Sequence, residues 1–279
     1  MSITNRAPQS HSVAANGLEI YYDEYGSGAP LLLLHGGTLT AHSWQDHAPL
    51  FAQHFRVIAP DSRGHGRTHN PTGELSYRLM ADDLAAFVQA LHLEQPFICG
   101  FSDGGQIALE FGMHYPGLAK GLVVCGAFYT FSEGYRAVLH EWGIEGPGQV
   151  DFAKVEQNMA GLVEGWKTEH APLGRPDYWR TLLQSISKMW WTPLDYTTVD
   201  FQKITAATQI LLGDRDSLIP VEQAVDMYRL IPNAELAILP KADHGGTVYG
   251  ASGPNPFFVS TVLDFLLRHS AQTAQPAQP

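Results

Sequence analysis

Basic residues, cysteines and long apolar runs are all scarce in this chain of 279 residues, and each scarcity narrows what it can do. Lys and Arg number 17 against 28 Asp and Glu, with no basic run, so nucleic acid and anionic membrane surfaces are poor partners. The strongest apolar run, residues 31–34, is far too short to span a bilayer, and the N-terminus lacks the apolar stretch of a signal peptide. We therefore expect a cytoplasmic protein that acts on a small molecule. The sequence does not reveal its oligomeric state, monomer or homodimer.

Signatures of cofactors and metals are also missing. Cys99 and Cys125 lie within apolar, strand-like segments and lack the spacing of a metal site, which predicts two buried free thiols. His65 and His69 are four residues apart, but they lie on a glycine-rich turn rather than on one helix face, which argues against a metal site. No Gly-x-Gly-x-x-Gly pattern links a first strand to a helix, so no dinucleotide site is expected. The sequence thus predicts no cofactor and no metal.

What the chain does contain is an alternation of short apolar runs with amphipathic helical patterns. The runs of strand length are residues 18–25, 30–34, 56–60, 96–100, 121–126, 209–213 and 235–239. The helical patterns are residues 43–54, 77–92, 104–115, 221–230 and 256–269. Such alternation predicts an α/β fold of right-handed βαβ units, in which a mostly parallel sheet has helices on both faces.

Residues 129–203 interrupt this alternation. They contain no comparable strand run and hold five of the six tryptophans of the chain. We expect a helical cap here, inserted into a core made of residues 13–128 and 204–270. Most of the tryptophans would pack the cap, and one or two would line a substrate pocket. The candidates for the pocket are Trp142, Trp190 and Trp191. Residues 1–12 and 271–279 show no periodicity and are predicted to be disordered.

A strand-to-helix turn at residues 100–104 carries the clearest chemical signal. It reads Gly-Phe-Ser-Asp-Gly, between an apolar strand and a helical pattern. Glycine at both ends removes the Cβ atoms that would clash in so sharp a reversal. Ser102 would then project its hydroxyl above the sheet edge, where the N-terminus of the following helix directs its backbone N–H groups. The pattern predicts a nucleophilic serine.

A nucleophilic serine needs a base, and the base needs a carboxylate that orients it. In a sheet of this topology the active groups lie on the loops after the carboxyl ends of the strands. Asp214 and Asp216 follow one predicted strand, and His244 follows the next. The serine, the aspartate and the histidine then follow one another along the chain in the order expected when the serine stands in a strand-to-helix turn of this kind, a nucleophile elbow. We predict Ser102 as nucleophile, His244 as base and one of the two aspartates as acid.

A third strand end supplies groups that could stabilise negative charge. Residues 35–38 read His-Gly-Gly-Thr, directly after the predicted strand at 30–34. A glycine turn there can bring a backbone N–H close to the serine. The backbone N–H groups of Gly37 and Asp103 are the predicted oxyanion hole. Gly36 and Thr38, which flank Gly37, are predicted substrate contacts.

These residues resemble the α/β-hydrolase superfamily, and within it the cap-bearing, cofactor-free group of esterases, lipases and carbon–carbon hydrolases. The resemblance covers about residues 15–270. Its motifs are the elbow, the turn at 35–37, the loop at 61–68, the Gly-Asp-Arg-Asp segment at 213–216 and the late His244. It implies an eight-stranded, mostly parallel sheet flanked by helices, with a helical cap. In that family the acid stands a few residues before the proline that opens the next helix, which selects Asp216 over Asp214.

The residue after the nucleophile, Asp103, departs from many members of that group, in which an uncharged residue is common. The elbow variant is similar to that of valacyclovir hydrolase, whose matching aspartate engages the amino group of its substrate. This resemblance implies an amine-bearing ester as one possible substrate. Asp103 also has an explanation without a substrate, since the helix dipole favours a carboxylate in the first turn. Both interpretations stay open.

The resemblance implies a serine hydrolase that cleaves a small carboxylic ester or lactone through an acyl-enzyme at Ser102. The same residues serve carbon–carbon hydrolases of dienones or β-diketones, and cofactor-free perhydrolases or haloperoxidases. Haloalkane dehalogenases and epoxide hydrolases are disfavoured, because they need aspartate where this chain has serine. A receptor that keeps the triad but only holds a ligand is a different class, and labelling with a fluorophosphonate separates it from an enzyme.

Overall fold

The structure is a computed structural model that describes residues 7–174 and 177–271. Its strands in chain order are β1 (Gln9–Ala15), β2 (Leu18–Gly26), β3 (Pro30–Leu34), β4 (Arg56–Pro60), β5 (Phe97–Phe101), β6 (Gly121–Cys125), β7 (Ile144–Gly146), β8 (Gln149–Val150), β9 (Ala207–Gly213), β10 (Ala234–Leu239), β11 (Tyr249–Gly250) and β12 (Gly253–Pro254). One sheet has the order β1-β2-β4-β3-β5-β6-β9-β10. Neighbouring strands from β4 to β10 are parallel, whereas β2 is antiparallel to β1 and β4. The predicted eight-stranded, mostly parallel sheet is confirmed.

Helices connect most of these strands. They are α1 (Ala48–Phe51), α2 (Tyr77–Ala90), α3 (Asp103–His114), α4 (Glu133–Glu141), α5 (Phe152–Asn158), α6 (Ala160–Glu169), α7 (Tyr178–Trp191), α8 (Thr198–Gln202), α9 (Val221–Leu230) and α10 (Pro256–Ala271). Local chemistry explains several of their starts. For example, the Ser76 side chain accepts a hydrogen bond from the backbone N–H of Leu79 and so caps α2.

The sheet has a buried core on each of its faces. Alternation along β5 shows this directly, because Ile98 packs on the face covered by α2, α3 and α9, whereas Phe97 and Cys99 pack on the face covered by α10. Strands buried on both faces read as continuous apolar runs, as β3 and β6 do. The parallel strands therefore end together at one edge, where the loops after β3, β5, β9 and β10 meet.

The edge strand β1 corrects one prediction. Residues 9–12 were expected to be disordered, but they pair with β2 through their backbone. Their side chains are polar and exposed, so the strand has no apolar pattern to detect. Polar side chains are common on an edge strand, where they discourage pairing with other molecules. Residues 1–6 and 272–279 lie outside the described part of the chain, and Ala271 ends α10.

The predicted helix at residues 43–54 is also shorter than expected. The chain forms a 3-10 turn at Ala41–Trp44 and then the single turn α1, with Pro49 near its start. Both pieces bury large side chains, among them Trp44 and Phe51, against the sheet. Apolar residues at helical spacing indicated the buried positions correctly, but burial here does not require a continuous helix.

Residues 129–203, called the helical insertion below, lie between β6 and β9. They contain α4 to α8 and the β7–β8 hairpin. Trp166 and Trp179 pack against each other with ring centroids 5.8 Å apart, and Phe152 meets Trp179 edge-on. These aromatic rings form an apolar centre within the insertion itself.

Two further observations bear on the predictions from composition. None of the helices within residues 7–174 and 177–271 has the length and apolar character needed to cross a membrane. Cys99 and Cys125 are buried free thiols, as the sequence predicts, and burial raises the pKa of both.

Candidate active site

The turn between β5 and α3 holds Ser102 in a strained conformation, with φ of 55° and ψ of −118°. Its backbone N–H donates to the carbonyl of Cys125 at 2.8 Å, which fixes the turn to β6. Glycine is required on both sides. A Cβ on Gly100 would overlap the carbonyl of Gly104, and one on Gly104 would overlap the carbonyl of Leu34. The predicted elbow is therefore built by the close crossing of α3 over the ends of β3 and β5.

Three side chains from three strand ends form one hydrogen-bonded chain. The hydroxyl of Ser102 donates to Nε2 of His244 at 2.9 Å, and Nδ1 of His244 donates to Oδ2 of Asp216 at 2.7 Å. The other carboxylate oxygen of Asp216 accepts the backbone N–H groups of Leu218 and Ile219, which fixes the carboxylate. The Asp216 side chain is 1% exposed. This arrangement can transfer a proton from the serine to the imidazole.

The choice between the two candidate aspartates follows from their positions. Asp214 lies immediately after β9, is exposed, and its carboxylate is 3.8 Å from the guanidinium of Arg215. Asp216, two residues later, meets the imidazole of His244. The sequence prediction of Asp216 thus agrees with the geometry.

The two backbone donors proposed for the oxyanion hole face the same cavity as Ser102. Gly37 and Asp103 both line it, and Asp103 is the first residue of α3. Within the described residues, neither backbone N–H has a hydrogen-bond acceptor in the protein. A Cβ on Gly37 would lie 2.6 Å from the ring of Trp190, so only glycine fits there. Gly36 and Thr38 also line the cavity.

Three buried histidines surround the turn that carries Gly37, and together they are called the histidine bracket. The backbone N–H of Thr38 donates to Nε2 of His65, and Nε2 of His170 donates to the carbonyl of Thr38. The third member, His35, bonds the carbonyl of Gly36 through Nδ1 and accepts from the backbone N–H of Ser62. Burial lowers the pKa of all three, which keeps them neutral.

The bracket shows what the sequence could and could not reveal. The sequence placed His65 on a glycine-rich turn and argued against a role in binding metal, and the Nδ1 of His65 donates to the carbonyl of Arg63. His170 was missed. It comes from the helical insertion, and its Nδ1 accepts the backbone N–H of Gly66 at 2.9 Å. No local pattern marks this contact, which joins residues more than a hundred positions apart. His, Cys, Asp and Glu residues in the described chain form no group of three that could hold a metal.

Asp103 is buried beneath the helical insertion. Its carboxylate accepts the indole N–H of Trp190 at 2.9 and 3.0 Å and the hydroxyl of Tyr77 at 2.8 Å. Loss of water around it raises the pKa to about 6, although these hydrogen bonds oppose the rise. Asp103 thus connects the nucleophile helix to α7 and α2, a role that the dipole explanation did not include.

Above the serine lies a cavity of about 600 Å³. The helical insertion contributes Tyr135, Leu139, Trp142, Met159, Leu162 and Trp190 to its wall. The sheet side contributes Leu39, Phe101, Leu218, Ile219 and Tyr249 beside the reactive groups. The wall is therefore largely apolar, with few polar groups near the serine, which is typical of sites for small molecules.

Of the three tryptophans predicted to line a pocket, Trp142 and Trp190 do so, but Trp191 does not. The ring of Trp191 instead contacts His140, and the guanidinium of Arg136 lies 5.4 Å from its ring centroid. The reason is helical geometry. Consecutive residues of α7 point about 100° apart around its axis, so only one of the pair can face the cavity.

Several wall residues were not predicted. Tyr135 and Leu139 of α4 recur, together with the predicted Trp142 directly after its end, at the spacing of one helix face. That spacing was a usable signal for a buried face, but it did not reveal whether the face meets a core or a cavity. Met159 and Leu162 follow at the junction of α5 and α6, where the sequence offers no comparable pattern.

Comparison with known proteins agrees with this geometry. A family model described as alpha/beta hydrolase fold matches residues 29–250. The chain is 29% identical over 270 residues to 2-hydroxy-6-oxo-2,4-heptadienoate hydrolase from Pseudomonas putida, covering 91% of this chain and 95% of the relative. It is 26% identical over 273 residues to a non-heme haloperoxidase from Rhodococcus erythropolis, covering 89% and 97%.

Solved structures share the fold at lower identity. A meta-cleavage product hydrolase from Pseudomonas fluorescens IP01 superposes with a TM-score of 0.74 and 24% identity, covering 92% of this chain and 97% of that one. The enol-lactonase of Burkholderia xenovorans LB400 gives a TM-score of 0.70 at 19% identity, covering 92% and 100%.

Proposed function

The chain belongs to the alpha/beta hydrolase family, and from this premise we propose that it is a serine hydrolase that cleaves a small carboxylic ester or lactone. One observation carries the proposal. The hydrogen-bonded chain from Ser102 through His244 to Asp216 lies at the base of a largely apolar cavity. A positioned nucleophile, its base and an orienting acid beside a pocket are the requirements of acyl transfer.

In the first half of the proposed reaction, the oxygen of Ser102 bonds the substrate carbonyl carbon while its proton passes to Nε2 of His244. Asp216 holds Nδ1–H of the imidazole and stabilises the imidazolium that forms. The backbone N–H groups of Gly37 and Asp103 stabilise the negative oxygen of the tetrahedral intermediate. The bond to the leaving alcohol then breaks, and the alcohol takes the proton from His244.

In the second half, water replaces the alcohol. His244 accepts a proton from the water as its oxygen bonds the acyl carbon, and the ester bond to Ser102 breaks as the serine recovers a proton. The products are a carboxylic acid and free enzyme. For a lactone, the alcohol and the acid are parts of one molecule.

Carbon–carbon hydrolysis is the second candidate, and the relatives favour it. The relative from Pseudomonas putida is named for a heptadienoate, and another, from Metapseudomonas resinovorans, for an aminophenyl hexadienoic acid. The same nucleophile and base can act on a ketone, with water added across a carbon–carbon bond. A dienone or β-diketone is the substrate class of this candidate.

Two further activities rest on narrower observations. The relative named as a non-heme haloperoxidase supports a perhydrolase, in which peroxide takes the place of water at the acyl-enzyme. Hydrolysis of an aminoacyl ester would use Asp103 as the partner of an ammonium group. The carboxylate of Asp103 already accepts hydrogen bonds from Trp190 and Tyr77, which weakens this last candidate.

A panel of substrates tests the proposal. It contains p-nitrophenyl esters from acetate to palmitate, lactones, an aminoacyl ester and a β-diketone, with halide oxidation in acetate and peroxide as a separate assay. We expect hydrolysis of short-chain esters or lactones, and none by the Ser102→Ala variant. Cleavage of the diketone with no ester or lactone hydrolysis would overturn the ester proposal in favour of the second candidate.

Other sequence predictions stay predictions. The helical insertion as a cap domain, with boundaries at 129 and 203, is one of them. The cytoplasmic location, the monomeric or homodimeric state and activity without a cofactor are the others. Gel filtration of the purified protein tests the oligomeric state, and activity after exhaustive chelation tests the independence from metal.

A further inference from the structure

The charges around the cavity restrict its substrates further. Resting on the proposed function, we propose that the site accepts uncharged acyl groups and excludes those that carry a carboxylate, and that Asp103 determines this specificity. The inference concerns the substrate class and not the chemistry at Ser102, so it applies to an ester or to a ketone.

The first observation is the composition of the cavity wall. Within the described residues, the wall contains no Lys and no Arg. Its acidic members are Asp103 and Asp243. The only titratable group there that can become a cation is the imidazole of His244, which is already bonded to Asp216. Among the described residues, a substrate carboxylate would therefore find no Lys or Arg on the wall to pair with.

The second observation is the state of Asp103. It is 6% exposed, and its three hydrogen bonds come from two neutral groups, the indole of Trp190 and the phenol of Tyr77. No Lys, Arg or His in the described chain forms an ion pair with it. Above its pKa of about 6 it thus carries a negative charge that no ion pair within the described chain neutralises, and the charge of His244, when protonated, is the one cationic influence on it. Asp243 differs, because it is exposed and water screens its charge.

Both observations predict that an anionic substrate binds less favourably than an uncharged one. A carboxylate that enters an apolar cavity loses its water, and this cost is recovered only when a cation or several donors replace the water. Repulsion by the buried charge of Asp103 adds to that cost, since like charges interact strongly where the dielectric constant is low. An uncharged acyl chain of the same length meets neither penalty and buries its apolar surface against the wall.

The relatives named for dienoates act on substrates that carry a carboxylate. The described residues that line the present cavity include no Lys or Arg that could pair with such a carboxylate. We infer that, if this chain cleaves a carbon–carbon bond, its substrate is an uncharged diketone or dienone. The inferred substrate class therefore differs from the dienoates for which these relatives are named, even though the family and the fold are shared.

The test compares two esters that differ only in charge. Mono-p-nitrophenyl adipate carries a terminal carboxylate at pH 8, and methyl p-nitrophenyl adipate masks the same group as a methyl ester. With spontaneous hydrolysis subtracted, we expect kcat/KM for the methyl ester to exceed that for the half-ester by at least about 100-fold, the size expected for an unpaired charge in a buried site. Values within about threefold of each other would overturn the inference.

Two variants locate the cause. Asp103→Asn keeps an oxygen for Trp190 and Tyr77, and we expect it to reduce the ratio between the two esters at least about tenfold, as removal of one close buried charge should. Asp243→Asn is the matched control, and we expect the ratio to change by less than about threefold because that carboxylate is screened by water. An unchanged ratio in Asp103→Asn would show that Asp103 does not determine the specificity.

The outcomes separate this inference from the proposed function. If p-nitrophenyl acetate is hydrolysed but the charged and masked adipates react equally, the inference fails and the proposed function stands. If neither adipate nor acetate is hydrolysed, the ester proposal itself fails. If Asp103→Asn does not fold, the comparison of the two adipates with the wild-type protein still decides whether carboxylates are excluded.

Discussion

The base and the wall of the cavity are built in different ways. The base consists of residues at strand ends, Ser102, Asp216, His244 and Gly37, each placed by a short local motif. Part of the wall comes from the helical insertion, whose residues reach the cavity only because distant helices pack together. The comparison teaches that the proposed chemistry is encoded locally, whereas the proposed specificity is encoded by contacts between distant parts of the chain.

Polar contacts join the two regions. Trp190 of α7 donates to Asp103, His170 donates to the carbonyl of Thr38, and Thr40 donates to the carboxylate of Glu169 at 2.6 Å. Each contact ends within a few residues of the proposed oxyanion hole. Substitutions at the base of the cavity should therefore lower the rate most strongly. Substitutions in these contacts should lower both the stability and the rate.

The largest effect, a loss of kcat, is expected at the base of the cavity. Asp216→Asn should lower kcat by about 10⁴-fold, because an amide cannot hold the imidazole in the required tautomer or stabilise its cation. Asp214→Asn, two residues away and exposed, is the matched control and should change kcat by less than about threefold. Steady-state kinetics on the best ester of the panel measure both. Equal losses of kcat in the two variants would contradict the assignment of Asp216 as the acid.

A smaller effect is expected where base and wall meet, at Asp103. Its folded-state pKa of about 6 is above the usual 3.8, so between these pH values the folded protein keeps a proton that the unfolded chain has released. Stability is therefore greatest at low pH and falls as pH rises through this range, by about 3 kcal/mol in total.

Asp103→Asn removes this contribution. Relative to the wild-type protein, the variant should gain about 2.5 kcal/mol in free energy of unfolding between pH 4 and pH 8. Urea unfolding at several pH values measures the difference, and taking the difference cancels the titration of the buried histidines. A difference that does not change with pH would contradict the buried, uncompensated carboxylate.

Among the polar contacts that join the base and the wall of the cavity, the next largest effect on stability is expected at His170. His170→Ala leaves the carbonyl of Thr38 and the backbone N–H of Gly66 without their partners and should cost about 2 kcal/mol. Since Thr38 adjoins Gly37, kcat should also fall. The control is His140→Ala in the same insertion, a half-exposed residue whose loss should cost under about 1 kcal/mol. Similar urea midpoints for both variants would argue that the bracket does not stabilise the fold.

The smallest effect is expected at Glu169. Glu169→Gln keeps an oxygen that can accept the hydroxyl of Thr40, so the hydrogen bond survives without its charge. We expect a loss of less than about 1 kcal/mol and little change in kcat. Thermal unfolding of the variant beside the wild-type protein measures this. A loss as large as that of His170→Ala would place the main connection between the regions at Thr40 instead.

Much of the fold could be predicted because its strands are buried on both faces. Strands β3 and β4 were predicted at the residues where they occur, since continuous apolar runs allow little other interpretation. The first half of strand β1 was missed because its pairing uses backbone groups and the side chains from Gln9 to Ser12 face water. Periodicity reports burial, so a strand without burial gives no signal.

The residues of the candidate site also divide into those that the sequence could indicate and those that it could not. Ser102, His244 and an aspartate at 214 or 216 could be predicted as candidates because each follows a strand, and the family resemblance implied Asp216. Sequence patterns could not show which of the candidate tryptophans would line the cavity, and His170 was missed, since both depend on how the insertion packs. Sequence patterns along one helix give the spacing of its faces, but not which neighbour each face meets.

The central claim is that Ser102 is a nucleophile activated by the chain of hydrogen bonds to His244 and Asp216. Incubation with a fluorophosphonate, followed by intact-mass measurement and peptide mapping, tests it most directly. The account predicts one adduct per chain, on Ser102, in the wild-type protein and none in Ser102→Ala. Absence of an adduct in the folded wild-type protein, or equal labelling of Ser102→Ala, would contradict it.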